Sequence, residues 1–268
     1  VDIGGTRTSV SQQFAEILGI PIESVKPRIA DTDGVGYTSN TGGSGVTYKT
    51  GIAAIEAAND VKKQMLERAS VMWETTLDKI SYEKGSIHLI GSNKKISFSE
   101  LAEKLNGLGG PVVGSANLNP SMPGGSFAAS LVDVEIDPDT GKASILRFTS
   151  FQDAGKAIHP SYVEGQMQGG SVQGIGWALN EYYHIDNEGI MKNNTLLDYR
   201  MPISLDLPMI DTEIIEVPNP GHLFGVRGVG EASIVPPMAA IANGIKKAVG
   251  KRLTNLPMDS KSILNALR

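Results

Sequence analysis

Ile52, Ile55, Val61, Met65 and Ala69 recur at near-helical spacing and predict a long amphipathic helix in the first third of the chain. Ahead of it, Ser9 to Leu18 reads as a helix stopped by Gly-Ile-Pro, and Val25 to Ala30 reads as a short strand. A glycine- and threonine-rich loop from Asp31 to Gly51 feeds the long helix. The period then changes to two. Ser86 to Ile90 and Lys94 to Phe98 predict a hairpin across Gly-Ser-Asn, followed by a short helix that Ser97 and Glu100 start as a capping box. Asn106 to Gly125 is dense in glycine and proline and reads as a connection between two lobes, 1–108 and 109–268.

The second lobe opens with a hairpin, FAASLVDVEI then KASILRF, turned by DPDTG. A helical segment follows from Gln166 to Tyr183, with Val172, Ile175, Leu179 and Tyr182 on one face. Gly169, Gly170, Gly174 and Gly176 interrupt it, at roughly 1 kcal/mol each relative to alanine. Such a local cost implies that something approaches the backbone closely, either a facing helix or a flat ligand. In the final helix Met238, Ile241, Ile245 and Val249 face one way, and Gly250 ends it. The pattern predicts an α+β protein of two lobes, each of sheet and packed helices.

Composition narrows the class. With 268 residues, 40% of them hydrophobic, the chain can bury a real core. It carries no apolar run long enough to span a bilayer and no export leader, so a cytoplasmic location is the expectation. It has no cysteine, so disulfides, thiolate zinc sites and cysteine-held iron–sulfur clusters are excluded within it. The net charge of -5 without a basic block argues against a nucleic-acid surface. Val1 falls inside what reads as a motif, and the chain is expected to be a fragment of a longer polypeptide.

Candidate chemistry concentrates in GVRGVGEAS, Gly225 to Ser233, where a glycine-rich turn sets the carboxylate of Glu231 just before an apolar helix. Buried there, it would be a catalytic base; otherwise it charges the first turn of the helix that Pro236 and Pro237 open. VDIGGTRTS at the start is similar to the first phosphate loop of actin-like sugar kinases. Those continue as a strand, whereas here SVSQQFAEILGIP continues as a helix, and a second acidic phosphate motif is lacking. A dinucleotide reading of GVRGVG fails on the order of its glycines. His88, His159, His184 and His222 lack metal-ligand spacing. Asp31 and Asp33 read as loop caps, Asp153 as a turn former, and Trp73 and Trp177 as packing residues.

In order, the motifs GGTRTSVSQQFAEILGIP, DTDGVGYTSNTGGSGVTYKTG, DAGKAIHPSYVEGQMQGGSVQGIGWALNEYY and GVRGVGEASIVPPMAAIANGIKKAVGKRLTNLP resemble the molybdenum hydroxylases. That family comprises xanthine dehydrogenase, aldehyde oxidase and the aerobic carbon monoxide dehydrogenases. The resemblance covers nearly the whole chain, as the C-terminal molybdopterin-binding portion of the large subunit.

The resemblance implies roles by position. Glu231 matches the general base that takes a proton from the hydroxyl beside the metal. Gln166 matches a glutamine whose amide contacts the pterin. Thr41 to Thr47 matches the loop whose backbone holds the cofactor, with Gly43, Ser44, Gly45 and Thr47 as contacts and the helix dipole behind them. Gly4, Gly5 and Thr6 match a cofactor-contacting turn. The xanthine-oxidising members carry glutamine at the position of Gly4, a departure that removes one side-chain contact. Gly230 adjoins the base.

The implied cofactor is molybdopterin, with a cytosine dinucleotide form among the alternatives, and the molybdenum is held through the pterin rather than by side chains. The implied partners are the remainder of the large subunit, an iron–sulfur subunit or domain and an FAD subunit or domain, in a dimeric assembly. The implied activity is hydroxylation of an aldehyde, purine or N-heterocycle with water, or oxidation of carbon monoxide. A cofactor-free scaffold or maturation protein of the same fold is the alternative from another class.

Overall fold

The structure is a computed structural model that describes residues 4–29, 31, 33–34, 37–38, 40–121 and 123–268. These divide into two compact units, Val1–Pro123 with Pro220–Val226, and Gly124–Asn219 with Arg227–Arg268. Helices and short sheets alternate in both, an α+β arrangement.

In the first unit, α1 (Thr6–Leu18) ends at Gly19, whose left-handed φ of 58° lets its N–H return to Ala15 and Glu16. The residues α1 buries are mostly small or polar: Ser9, Ser11, Gln13, Ala15 and Leu18. This lets α2 (Val46–Met72) come close, and the Gln13 amide lies against Gly51 and donates to the Thr47 carbonyl at 3.2 Å. The stripe predicted for α2 is realised, with Ile55, Met65 and Ala69 buried. The predicted loop ends sooner than Gly51, because α2 already begins at Val46. No strand forms over 25–29, where Pro27 lacks a ladder donor; Ala30 lies outside the described residues.

The far half of α2 covers a small antiparallel sheet, β1 (Ile80–Glu83), β2 (Ser86–Leu89) and β3 (Lys95–Ser97), and the helix α3 (Phe98–Lys104). Met65, Ala69, Ile80, Ile87, Ile96, Leu101 and Leu105 form its core, with Trp73 packed on it. The β2–β3 hairpin follows the sequence reading, whereas β1 was not foreseen: ISYE is too short to show a period. The capping box is complete, Glu100 N–H donating to Ser97 Oγ at 3.2 Å and Ser97 N–H to Glu100 Oε2 at 2.8 Å. The glycine-rich stretch after 108 stays with this unit, a difference from the split at 108/109. It runs along α2, with Gln64 Nε2 donating to the Val113 carbonyl at 2.8 Å and Ser115 N–H to Asp60 Oδ2 at 3.1 Å.

The second unit is built on β4 (Ala128–Ile136) and β5 (Ala143–Asp153), antiparallel across a turn in which Asp137 Oδ1 accepts from Asp139 N–H at 2.9 Å. Helix α4 (Pro160–Leu179) then crosses over to β6 (Ile210–Ile215), which pairs with β5 in parallel. Sequence periodicity did not reveal β6. Helix α4 starts earlier than Gln166 because Pro160 presets its first turn, and it stops before Tyr182 because the Gly176 carbonyl takes the N–H of both Asn180 and Glu181. Helix α5 (Val235–Val249) buries Ile241 and Ile245 as predicted. It is not the last helix: α6 (Ser260–Leu267) follows, capped by Asp259 at 2.8 Å. Phe148, Ile175, Ile210, Ile241, Ile245, Met258 and Ile263 make one core from every layer. Trp177 faces outward at 46% exposure, which overturns its packing role.

Candidate functional site

In the first unit α1 and α2 both open on glycine without a side-chain cap, Gly5 at φ 81° and Gly45 at φ -93°. Helices α3 and α6, by contrast, are capped by Ser97 and Asp259. The first-turn N–H groups of α1 and α2 therefore face outward from a positive dipole end. Before α2, Gly43 and Ser44 are consecutively left-handed at φ 61° and 54°, and Gly45 is right-handed. The left- to right-handed step from Ser44 to Gly45 is the backbone conformation of an anion-binding nest, with the Gly45 N–H bonded to the Gly42 carbonyl at 3.4 Å. Ser44 holds that conformation with a Cβ, at a cost of about 1–2 kcal/mol. Strain of this kind clusters where a ligand is clamped. Gly4 and the buried Gly5 form the turn into Thr6, and the Gly5 carbonyl accepts both N–H and Oγ–H of Ser9 at 3.0 and 3.1 Å.

In the second unit Gln166, Gly170 and Gly174 share one face of α4. A Cβ on Gly174 would stand 2.5 Å from the Ile234 carbonyl, and one on Gly170 would meet the Ser233 side chain. A facing element therefore accounts for both glycines, while Gly169 and Gly165 face open space and Gly176 makes room for Pro202 and Glu181. Gln166 lies one turn before Gly170 on this face, and Gly230 and Glu231 directly precede the Ala232–Ile234 turn that packs against it.

Glu231 precedes a single 3-10 turn, Ala232–Ile234, that leads into α5. Its carbonyl accepts from Ile234 N–H at 3.1 Å, and its side chain does not cap the turn. Glu231 is exposed in this chain, which corrects the expectation of a buried group.

Sequence reasoning missed what holds this segment. Asp153 shapes a turn, its Oδ1 accepting from Gly155 N–H at 2.9 Å, and the same oxygen accepts from Val217 N–H at 3.1 Å. Its other oxygen pairs with Arg227 Nε at 3.1 Å, in a largely buried ion pair. Its partners come from remote stretches, and no local pattern announces them.

His222, read as structural or surface, is buried in the first unit against Tyr48, whose hydroxyl donates to the Gly221 carbonyl at 3.1 Å. Its Nδ1 accepts from Phe224 N–H at 3.1 Å, so the neutral ring carries its proton on Nε2. Burial holds its pKa below the ordinary 6.5, against a smaller raising effect of hydrogen bonding to the Tyr48 backbone. Asp31 does cap its loop, accepting from Asp33 and Gly34. Among the described residues no group of His, Asp and Glu could hold a metal ion, and no helix is long and apolar enough to cross a membrane.

The family model of the molybdopterin cofactor-binding domain matches residues 1–208, and the chain belongs to that family. It is 31% identical over 266 residues to the xanthine dehydrogenase molybdenum-binding subunit of Escherichia coli O157:H7, covering 97% of this chain and 35% of that one. To the carbon monoxide dehydrogenase large chain of Hydrogenophaga pseudoflava it is 27% identical, covering 98% and 34%. The solved reconstituted CO dehydrogenase from Oligotropha carboxidovorans superposes with a TM-score of 0.89 at 25% identity, over 99% of this chain and 34% of that one. The chain thus spans about a third of the length of these relatives. It is a molybdopterin-binding portion of the type found in molybdenum-containing dehydrogenases and hydroxylases.

Proposed function

We propose that this chain is the cofactor-holding and base-supplying part of a molybdenum hydroxylase that oxidises an aldehyde, a purine, an N-heterocycle or carbon monoxide with oxygen from water. The observation that carries the reading is the left- to right-handed backbone of Gly43, Ser44 and Gly45 ahead of a helix of 27 residues with no side-chain cap. Backbone donors with no proton to lose suit a polyanionic pterin with its phosphate.

Gly43, Ser44, Gly45 and Thr47 hold the cofactor through α2, and Gly4, Gly5 and Thr6 hold it through α1. Gln166 offers an amide that both donates and accepts, which fits the mixed edge of a pterin ring. When bound, the cofactor supplies a metal that acidifies water and takes up an electron pair. Glu231 accepts the proton of the attacking oxygen, and its exposure within this chain leaves it accessible to substrate. The remaining two thirds of a relative-length subunit complete the pocket; iron–sulfur and FAD partners carry electrons away, in a dimeric cytoplasmic assembly. A cytosine dinucleotide extension of the pterin is compatible with the same backbone cradle.

Molybdenum and pterin contents of the native complex, isolated through this chain, are expected near one each per copy. Glu231→Ala should leave both in place and lower turnover on the order of 10²–10⁴-fold. Absence of molybdenum and pterin from an intact wild-type complex would support a scaffold or maturation protein instead. Normal turnover by the variant would remove the base assignment.

A further inference from the structure

The Asp153–Arg227 pair has no cofactor contact assigned above, and its bonds converge on the segment that leads to Glu231. Arg227 Nε donates to the Val217 carbonyl at 3.0 Å and lies 3.1 Å from Asp153 Oδ2, while another guanidinium nitrogen donates to the Gly125 carbonyl at 2.7 Å. The Arg227 backbone N–H bonds to the Ala154 carbonyl at 3.1 Å, and Gln152 Nε2 donates to the Gly228 carbonyl at 3.4 Å. Next along, Val229 packs on Ala154, Ala157, Val163 and Met167. On the far side, Ser233 and Ile234 seat against Gly170 and Gly174.

Glu231 is therefore the exposed residue of a short span, Gly228 to Ala232, fastened at both ends. Two glycines in that span supply no stiffness of their own, so its geometry is set by the anchors. The α4 anchor is steric. The Arg227 anchor is directional, because a planar guanidinium fixes angles as well as distance.

We propose that Asp153 and Arg227 are positioning residues that set the place of the Glu231 carboxylate without touching substrate or cofactor. The inference rests on the general-base reading of Glu231. Its energetic logic is that a reacting group misplaced by about 1 Å can lose on the order of 100-fold in rate.

The test uses the complete enzyme complex with Arg227→Lys, which keeps a cation beside Asp153 but loses the fork, and with Arg227→Met. Hydrogen exchange over 226–234 should quicken at least about tenfold, with α4 and α5 unchanged and molybdenum content at the wild-type level. Turnover with benzaldehyde, hypoxanthine or quinoline should fall about 10- to 100-fold with KM within about threefold. In a Glu231→Gln background the same change should alter the residual single-turnover rate less than about twofold, since residues acting as one unit are not additive. Unchanged exchange, uniform loosening of the second unit, loss of molybdenum or a multiplicative effect beside Glu231→Gln would each overturn the proposal. Normal turnover by Glu231→Gln, with the exchange effect intact, would sink the base reading and leave the clamp standing.

Discussion

Gly174 of α4 and Pro237 of α5 meet so closely that a methyl group on Gly174 would stand 2.8 Å from the proline ring and 2.5 Å from the Ile234 carbonyl. The contact sets how deeply the turn bearing Glu231 sinks against α4. Glycine in a helix costs about 1 kcal/mol relative to alanine. Overpacking against atoms that cannot yield costs about 1–3 kcal/mol. Backbone and proline ring cannot yield here, so Gly174→Ala should lower the thermal midpoint of the complex. Gly169, five residues earlier on another face and open to space, carries only the helix cost, and Gly169→Ala should hold or raise the midpoint. If the two variants shift it equally, the facing turn is not what excludes a side chain at Gly174.

Gly43 at φ 61° offers a sharper probe of the cofactor cradle. Gly43→Ala forces an L-residue into the left-handed region beside Ser44, at about 1–2 kcal/mol. Relief would reorient the N–H groups ahead of α2. Molybdenum and pterin recovered with the purified variant should fall severalfold, while the core behind α2 keeps its melting behaviour. Full cofactor content would show that the cradle holds something else.

His222 couples the 220–226 segment to pH. Its neutral form is favoured by burial, so its folded pKa lies below the unfolded 6.5. A depressed value means that stability is present above the unfolded pKa and is lost as pH falls below it. Protonation would also place a proton on Nδ1, which now accepts from Phe224 N–H. The thermal midpoint should therefore drop between about pH 7 and about pH 5, and His222→Asn should flatten part of that drop. Parallel declines in the two proteins would exclude His222 as the source.

How legible this protein is in its sequence depends on how local each feature is. The α2 stripe, the Ser97–Glu100 box and the turn at Asp137 are set by neighbours within a few residues, and all appear where the pattern puts them. The family could be read from four ordered motifs, because glycines that must bend or yield leave no freedom of residue type. Strands β1 and β6 escaped, since a few residues beside a pre-existing partner need little period of their own. Helix ends moved to where Pro160 and the Gly176 carbonyl placed them.

The sequence by itself determined the class of fold, the glycine loops at Gly4 and Gly43, and Glu231 as the carboxylate worth testing. Only the tertiary structure decided that Gly170 and Gly174 serve a facing turn rather than a flat ligand. It also joined Asp153 to Arg227, four residues before Glu231, and left Glu231 exposed within this chain. Local chemistry is written in residue type and spacing. Steric approach and ion pairing are relations between distant stretches, which exist only once the chain has closed on itself.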